Sequence, residues 1–97
     1  MIICIIFDVE NFNDDSFKTC INLEILSIFN NRYIYDLDHL IKLTKLCLEI
    51  HISITDESIV KCTELQILQL CLTNKITKIS HLTNLKELIV PSKKYTQ

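Results

Sequence analysis

Cys4, Cys20, Cys47, Cys62 and Cys71 are the side chains in this sequence with the widest range of possible chemistry: disulfide formation, nucleophilic attack or metal ligation. Their number is odd, and no two stand at the C-x-x-C spacing of a metal knuckle or redox pair. His39, His51 and His81 are the other candidate ligands, and Asp14-Asp15 and Asp56-Glu57 are the paired carboxylates. Each acidic pair directly follows Asn13 or Thr55, residues that start helices. Negative charge in a first helical turn is favoured by the exposed N–H groups there, which explains these pairs better than acid–base catalysis. No nucleophile–histidine–carboxylate arrangement emerges. The chain has no glycine, so it cannot build a Walker loop or a dinucleotide-binding turn, both of which need glycine for backbone approach to phosphate. The expectation is a protein that is not an enzyme and holds no cofactor or metal.

Length and charge bound the rest. Ninety-seven residues suit one domain, with a core that removes roughly 60–70% of the unfolded surface from water. Hydrophobic residues make up 48% of the chain, enough to fill such a core. Net charge is −2 and no basic cluster occurs, which argues against a nucleic-acid partner. The longest apolar run, Met1–Phe7, is stopped by Asp8 and falls well short of the ~20 residues of a membrane span. It also lacks the charged start and cleavage site of a secretory signal. No membrane association is expected, and the chain reads as cytoplasmic, in the host cytosol if it is a viral or bacterial effector.

The elements that would position these side chains follow from an internal repeat. Units open at Met1, Leu23, Leu43, Leu65 and Leu85, so a longer unit alternates with a shorter one. Counting each opening residue as position 1, positions 1, 4 and 6 read Met1-Cys4-Ile6, Leu23-Leu26-Ile28, Leu43-Leu46-Leu48, Leu65-Leu68-Leu70 and Leu85-Leu88-Val90. The alternation implies a super-repeat of one long and one short unit, the step from Met1 to Leu43. Overlaying it matches Asp14 with Asp56, Ser16 with Ser58, Cys20 with Cys62 and His39 with His81. Hydrophobic periodicity alone does not produce matched Asp, Ser, Cys and His, so the pairing reads as a duplication.

Within each unit, positions 3 to 7 alternate and are rich in strand-forming residues. Positions 4 and 6 then face inward and 3, 5 and 7 outward. The remainder steps by three, as in Ile34, Leu37, Leu40, Leu43 and in Ile76, Ile79, Leu82, Leu85, a spacing suited to 3₁₀ segments. In the long units, the caps at Asn13 and Thr55 predict a turn or two of α-helix carrying Phe17 and Cys20, or Ile59 and Cys62, on a buried face. Strand, turn and return recurring in every unit describe a right-handed solenoid whose strands form one parallel sheet on a concave face. All of residues 1–97 belong to this single domain.

That register assigns the reactive residues. Cys4, Cys20 and Cys62 fall in the interior, while Cys47 and Cys71 fall on outward strand positions. Cys20 and Cys62 lie two units apart, roughly 10 Å at ~4.8 Å per strand, too far for a disulfide. His39 and His81 are separated in the same way, too far to share a metal ion. They are expected at the convex edge, and His51 at a turn.

L-x-x-L-x-L repeated in register resembles the leucine-rich repeat superfamily over nearly the whole chain. Ile76-Thr77-Lys78-Ile79-Ser80-His81-Leu82-Thr83-Asn84-Leu85 is similar to the short internalin-like unit. Ile54-Thr55-Asp56-Glu57-Ser58-Ile59-Val60-Lys61-Cys62 is similar to the cysteine-containing unit of F-box substrate adaptors. The family's asparagine at position 9 is met by Asn31, whereas Val9, His51 and Thr73 stand there in the other units and Asn74 falls one residue late. The resemblance implies an α/β solenoid, with a short-stranded concave sheet backed by 3₁₀ or short α segments, that binds a partner across the sheet.

The outward strand positions are where such a partner would sit. Ile3, Ile5, Phe7, Ile25 and Phe29 form an apolar group, and Lys45, Glu49 and Gln69 follow as a charged and polar border. Contiguous exposed apolar surface of this kind marks interaction sites. The expected contact residues are Phe7, Ile25, Phe29, Lys45, Glu49 and Cys71, and the expected partner is another protein. Two alternatives stand beside this reading. One is a substrate-recognition fragment of an F-box-type ubiquitin-ligase adaptor; the other is a non-binding remnant of a longer array. Neither terminus carries a recognisable polar cap, so self-association through uncapped ends is also open.

Overall fold

The structure is a computed structural model that describes residues 2–6, 12–50, 52–71 and 75–90. It is a solenoid built on a parallel sheet of five strands: β1 (Ile3–Ile6), β2 (Ile25–Phe29), β3 (Lys45–Glu49), β4 (Ile67–Leu70) and β5 (Glu87–Ile89). The strands lie in sequence order, each hydrogen-bonded to the next. Position matches position throughout: Ile3 pairs with Ile25, Ile25 with Lys45, Lys45 with Ile67 and Ile67 with Glu87. No side chain can then slip to the wrong face without moving the whole strand.

The register is locked at one recurrent point. In each junction, the N–H groups at positions 2 and 3 both reach the position-2 carbonyl of the preceding unit. Glu24 and Ile25 donate to Ile2 O, both at 2.9 Å, and Thr44 and Lys45 to Glu24 O at 2.8 and 3.1 Å. Gln66 and Ile67 donate to Thr44 O, and Lys86 and Glu87 to Gln66 O, in the same way.

The inward side chains form one continuous core. Leu26, Ile28, Leu46, Leu48 and Leu68 from the strands are fully buried, as are Leu37, Leu40 and Leu43 from the return. Each such Leu or Ile contributes about 1.5–3 kcal/mol on burial, and only neighbouring units can provide the cover. Phe17 sits against Phe12, with ring centroids 5.8 Å apart, and edge-on to the His39 ring at 5.1 Å.

The returns follow the three-residue step closely. Leu40 donates its N–H to Leu37 O at 3.0 Å, and Leu43 to Leu40 O at 3.1 Å. Cys20 to Phe17, Leu23 to Cys20, Cys62 to Ile59 and Leu82 to Ile79 repeat the pattern. Each apolar side chain therefore forms the corner of one turn and the start of the next.

The α-helical turns expected after Asn13 and Thr55 do not form. Asp14–Ser16 and Asp56–Ile59 are single 3₁₀ turns, and the described residues contain no α-helix. The apolar spacing is the reason. Phe17, Cys20 and Leu23 stay in line only at three residues per turn. At 3.6 per turn, the third would be carried about 120° around the axis.

Both turns start at the expected residues. Asn13 Oδ1 accepts the Asp15 N–H at 2.9 Å, and Ser16 Oγ accepts the Asn13 N–H at 2.9 Å. Ser58 Oγ accepts the Thr55 N–H at 3.0 Å. Asn31 is almost wholly buried and joins two units: its Nδ2 donates to Phe12 O at 3.1 Å, and its Oδ1 accepts the Tyr33 N–H at 2.8 Å. Position 9 of the remaining units (Val9, His51, Thr73), together with Asn74, lies outside the described residues.

Candidate interaction surface

Three rows of side chains cross the outer face of the sheet. Position 3 contributes Ile3, Ile25, Lys45, Ile67 and Glu87; position 5 contributes Ile5, Ser27, Cys47, Gln69 and Ile89. Phe29 and Glu49 face each other at position 7, and Cys71 follows the last residue of β4. Of the residues expected to carry recognition, Ile25, Phe29, Lys45, Glu49 and Cys71 therefore share this face. Phe7 lies outside the described residues.

The face divides into two chemistries. Over β1 and β2 it is apolar: Ile3 and Ile5 are 55% and 56% exposed, with half-buried Ile25 and Phe29 beside them. Over β3 and β4 a short polar chain replaces it. Gln69 Nε2 donates to Glu49 Oε2 at 3.4 Å, while Gln69 Oε1 accepts a weak bond from Cys47 Sγ at 3.7 Å. One amide therefore bridges a carboxylate and a thiol on the adjoining strand. Lys45 and Glu49 stand at opposite ends of β3, roughly 13 Å apart along a strand, so their charges act as separate handles.

Cys47 departs from expectation. Its position is outward, yet the side chain is only 8% exposed. It faces Ser27 on one side and Gln69 on the other, and the long Gln69 amide closes over it. That removes the accessibility a reactive thiol needs. Cys47 and Gln69 occupy position 5 of consecutive units, so their adjacency is readable from the repeat. An outward position, however, does not by itself mean exposure.

The other thiols are governed by burial. Cys62 is fully buried, and its Sγ lies 3.3 Å from Leu37 O. Burial pushes its thiol up to about 12, with the charges of Asp38 and Asp36 adding to the effect. Cys4 and Cys20, expected in the interior, are only half-buried against the core. Burial and the neighbouring Cys20 both raise the Cys4 thiol.

The two matched histidines have matched roles. His39 Nε2 lies 3.1 Å from Phe17 O, and His81 Nε2 lies 3.3 Å from Ile59 O. A carbonyl only accepts, so Nε2 carries the hydrogen in both rings. Each histidine staples its unit to the one before. His51 lies outside the described residues.

The acidic pairs also act between units. Asp14 Oδ1 accepts the N–H groups of Tyr35 and Asp36 at 2.9 and 3.2 Å. Asp56 Oδ1 accepts those of Thr77 and Lys78 at 2.8 and 3.0 Å, and its Oδ2 accepts the Thr77 hydroxyl at 2.8 Å. Burial pushes the Asp56 carboxyl up, but the bonds from Lys78 and Thr77, with the Lys78 charge, outweigh it and hold the carboxyl below its ordinary value.

An open groove of about 370 Å³ on the flank is lined by Tyr35, Asp36, Asp38, Ser53, Glu57 and their neighbours. Its aspartates are occupied by backbone: Asp36 caps the Asp38 N–H at 2.9 Å, and Asp38 the Lys61 N–H at 3.1 Å. Among the described residues, no three His, Cys, Asp or Glu side chains converge as a metal site, and no helix is long and apolar enough to cross a membrane. No family model matches the chain, and neither a curated protein nor a solved structure does.

Proposed function

We propose that this chain is a leucine-rich repeat protein that acts, without catalysis, as a protein–protein interaction module in the cytoplasm. Its sheet would be the concave face of the solenoid, with the 3₁₀ turns on the convex side. The unit length, the single parallel sheet over a shared core and the buried Asn31 between units all support that reading.

One observation carries the binding role. The solvent face of the sheet is not uniformly polar: it is apolar at Ile3, Ile5, Ile25 and Phe29 and becomes charged at Lys45 and Glu49. An apolar patch with charged residues along one side resembles a recognition surface, where a few large side chains supply most of the energy. Phe29 is the largest described side chain on the face, and Cys71 lies at its far margin.

The test is a quantitative pull-down from the native host cell, comparing the wild type with Phe29→Glu after circular dichroism shows both folded. A protein retained by the wild type and lost by the variant is expected. Retention that is unchanged, or no specific retention at all, defeats the reading.

A further inference from the structure

Four times within this chain, one unit docks on the next through the same set of bonds, and the two outermost strands carry the unused halves of that set. Residues at odd positions of a strand turn their N–H and C=O toward the preceding strand, as Ile25 does when it donates to Ile2 O. On β1, Ile3 and Ile5 therefore turn these groups away from β2, toward the outer edge of the sheet. On β5 the even positions face outward, so Lys86 O, Leu88 N–H, Leu88 O and Val90 N–H point to the opposite edge. Among the described residues no strand pairs with either edge.

We propose that β1 of a second copy of this chain adds to the outer edge of β5, continuing the sheet head to tail. The repeat supplies the register. Ile3 N–H of the second copy meets Lys86 O, just as Ile25 meets Ile2 O, and Leu88 N–H meets the Ile3 carbonyl. Ile5 N–H then meets Leu88 O, and Val90 N–H meets the Ile5 carbonyl.

The side chains fit this register. Ile5 and Ile89 become cross-strand neighbours, and they are 56% and 40% exposed in the single copy. Behind the sheet, Cys4 meets Leu88 and Ile6 meets Val90. Cys4 is half-buried, whereas its equivalent one super-repeat on, Leu46, is 0% exposed. Ile79, Leu85, Leu88 and Val90 at the other end are likewise only partly covered. The contact thus adds cover to Cys4 at one end and to Leu88 and Val90 at the other. Nor does β1 carry a device that blocks edge pairing: Ile-Cys-Ile-Ile contains neither charge nor proline.

The surfaces that meet are different patches of the same chain, so the contact is heterologous and propagates into linear assemblies. The experiment is light scattering on the full chain over a range of concentrations. The average mass of the wild type is expected to rise with concentration, with an unchanged circular dichroism spectrum. Ile5→Pro removes only an N–H that faces the outer edge, so it is expected to fold and to remain a single chain. Ile5→Lys, at an exposed side chain, serves the same purpose if proline unfolds the strand.

Mixing gives the decisive arm. Either variant still presents an intact β5, so it starts an assembly but cannot extend another. Equal amounts of variant and wild type should cut the number average to about two chains per assembly, which light scattering, weighting by mass, reads as about three. A wild type that stays monomeric throughout overturns the proposal, as does assembly that survives both substitutions. Assembly lost in the variants but not shortened on mixing would mean that β1 edges pair with one another, which also overturns it. Phe29→Glu lies on β2 and leaves assembly unchanged, which separates this contact from partner binding on the face.

Discussion

Asp14 and Asp56 occupy the same position of the two long units and make the same clasp. Each carboxylate takes two consecutive N–H groups from the next unit: Tyr35 and Asp36 in one case, Thr77 and Lys78 in the other. The return of each following unit is thereby pinned to the 3₁₀ turn before it.

Removing the second clasp has a defined cost. Asp56→Ala should lower stability by about 1 kcal/mol, because the released N–H groups are near the surface and water can replace the lost acceptor. The carboxyl titrates below its ordinary value of 3.8 in the folded chain, so its contribution is fully present above that value. It is lost as pH falls through the lower folded value, where both states bind the proton. Urea unfolding between pH 5 and pH 2 should show a steeper acid loss in the wild type than in Asp56→Asn; equal slopes would refute the assignment.

Asn31 is the most demanding polar residue in the described core. Asn31→Ala leaves the Phe12 carbonyl and the Tyr33 N–H without their side-chain partner in a part-buried setting. A loss of about 2–3 kcal/mol is expected in the urea midpoint, with little change in slope. A loss below about 0.5 kcal/mol, within the range of ordinary surface substitutions, would show that Asn31 is not the tie between these units.

Ile50 follows β3 with a left-handed backbone, φ +60°, and its side chain is 52% exposed. The corresponding residue after β2 is Asn30, at φ +55°, a residue type that tolerates this region. A β-branched side chain there costs roughly 1–2 kcal/mol. Ile50→Asn is therefore expected to stabilise the chain by about 1 kcal/mol, read as a higher urea midpoint. Destabilisation would mean that the isoleucine side chain makes a contact outweighing the strain.

Cys62 should be the last thiol to react with a soluble disulfide reagent and should be labelled only on unfolding. Its folded value of about 12 lies above the ordinary 9.0, so the folded state keeps the proton that the unfolded chain releases. The resulting stability is complete below the ordinary value and disappears as pH rises toward 12. Cys62→Ala should flatten that alkaline decline. Early labelling of Cys62 at neutral pH would contradict the burial.

Much of this architecture was legible because a short repeat, with one strand and one return per unit, leaves few alternatives. Leu26 and Ile28, or Leu46 and Leu48, had to face one way once the strands were placed. The residues stepping by three had to line up behind them. Two features were not legible. Caps at Asn13 and Thr55 suggest helix, but the cap sets only how a turn starts, while the spacing of Phe17, Cys20 and Leu23 sets its pitch. Cys47 points outward yet is buried, because exposure depends on which side chain sits on the next strand, and Gln69 is long enough to fold across. The shared face of Ile25, Phe29, Lys45 and Glu49 was readable from parity alone; the amide bridge within it was not.

The alternation of long and short units also limits how such a chain can change length. The Asp14 and Asp56 clasps, and the His39 and His81 staples, all join a long unit to the short unit after it. Deleting one unit places two of the same kind together and leaves a carboxylate or an imidazole facing the wrong neighbour. Deleting or inserting a long and a short unit together restores every partner. Growth or loss by recombination is thus quantised in pairs, and shortened or lengthened forms that fold should differ from this one by multiples of that pair.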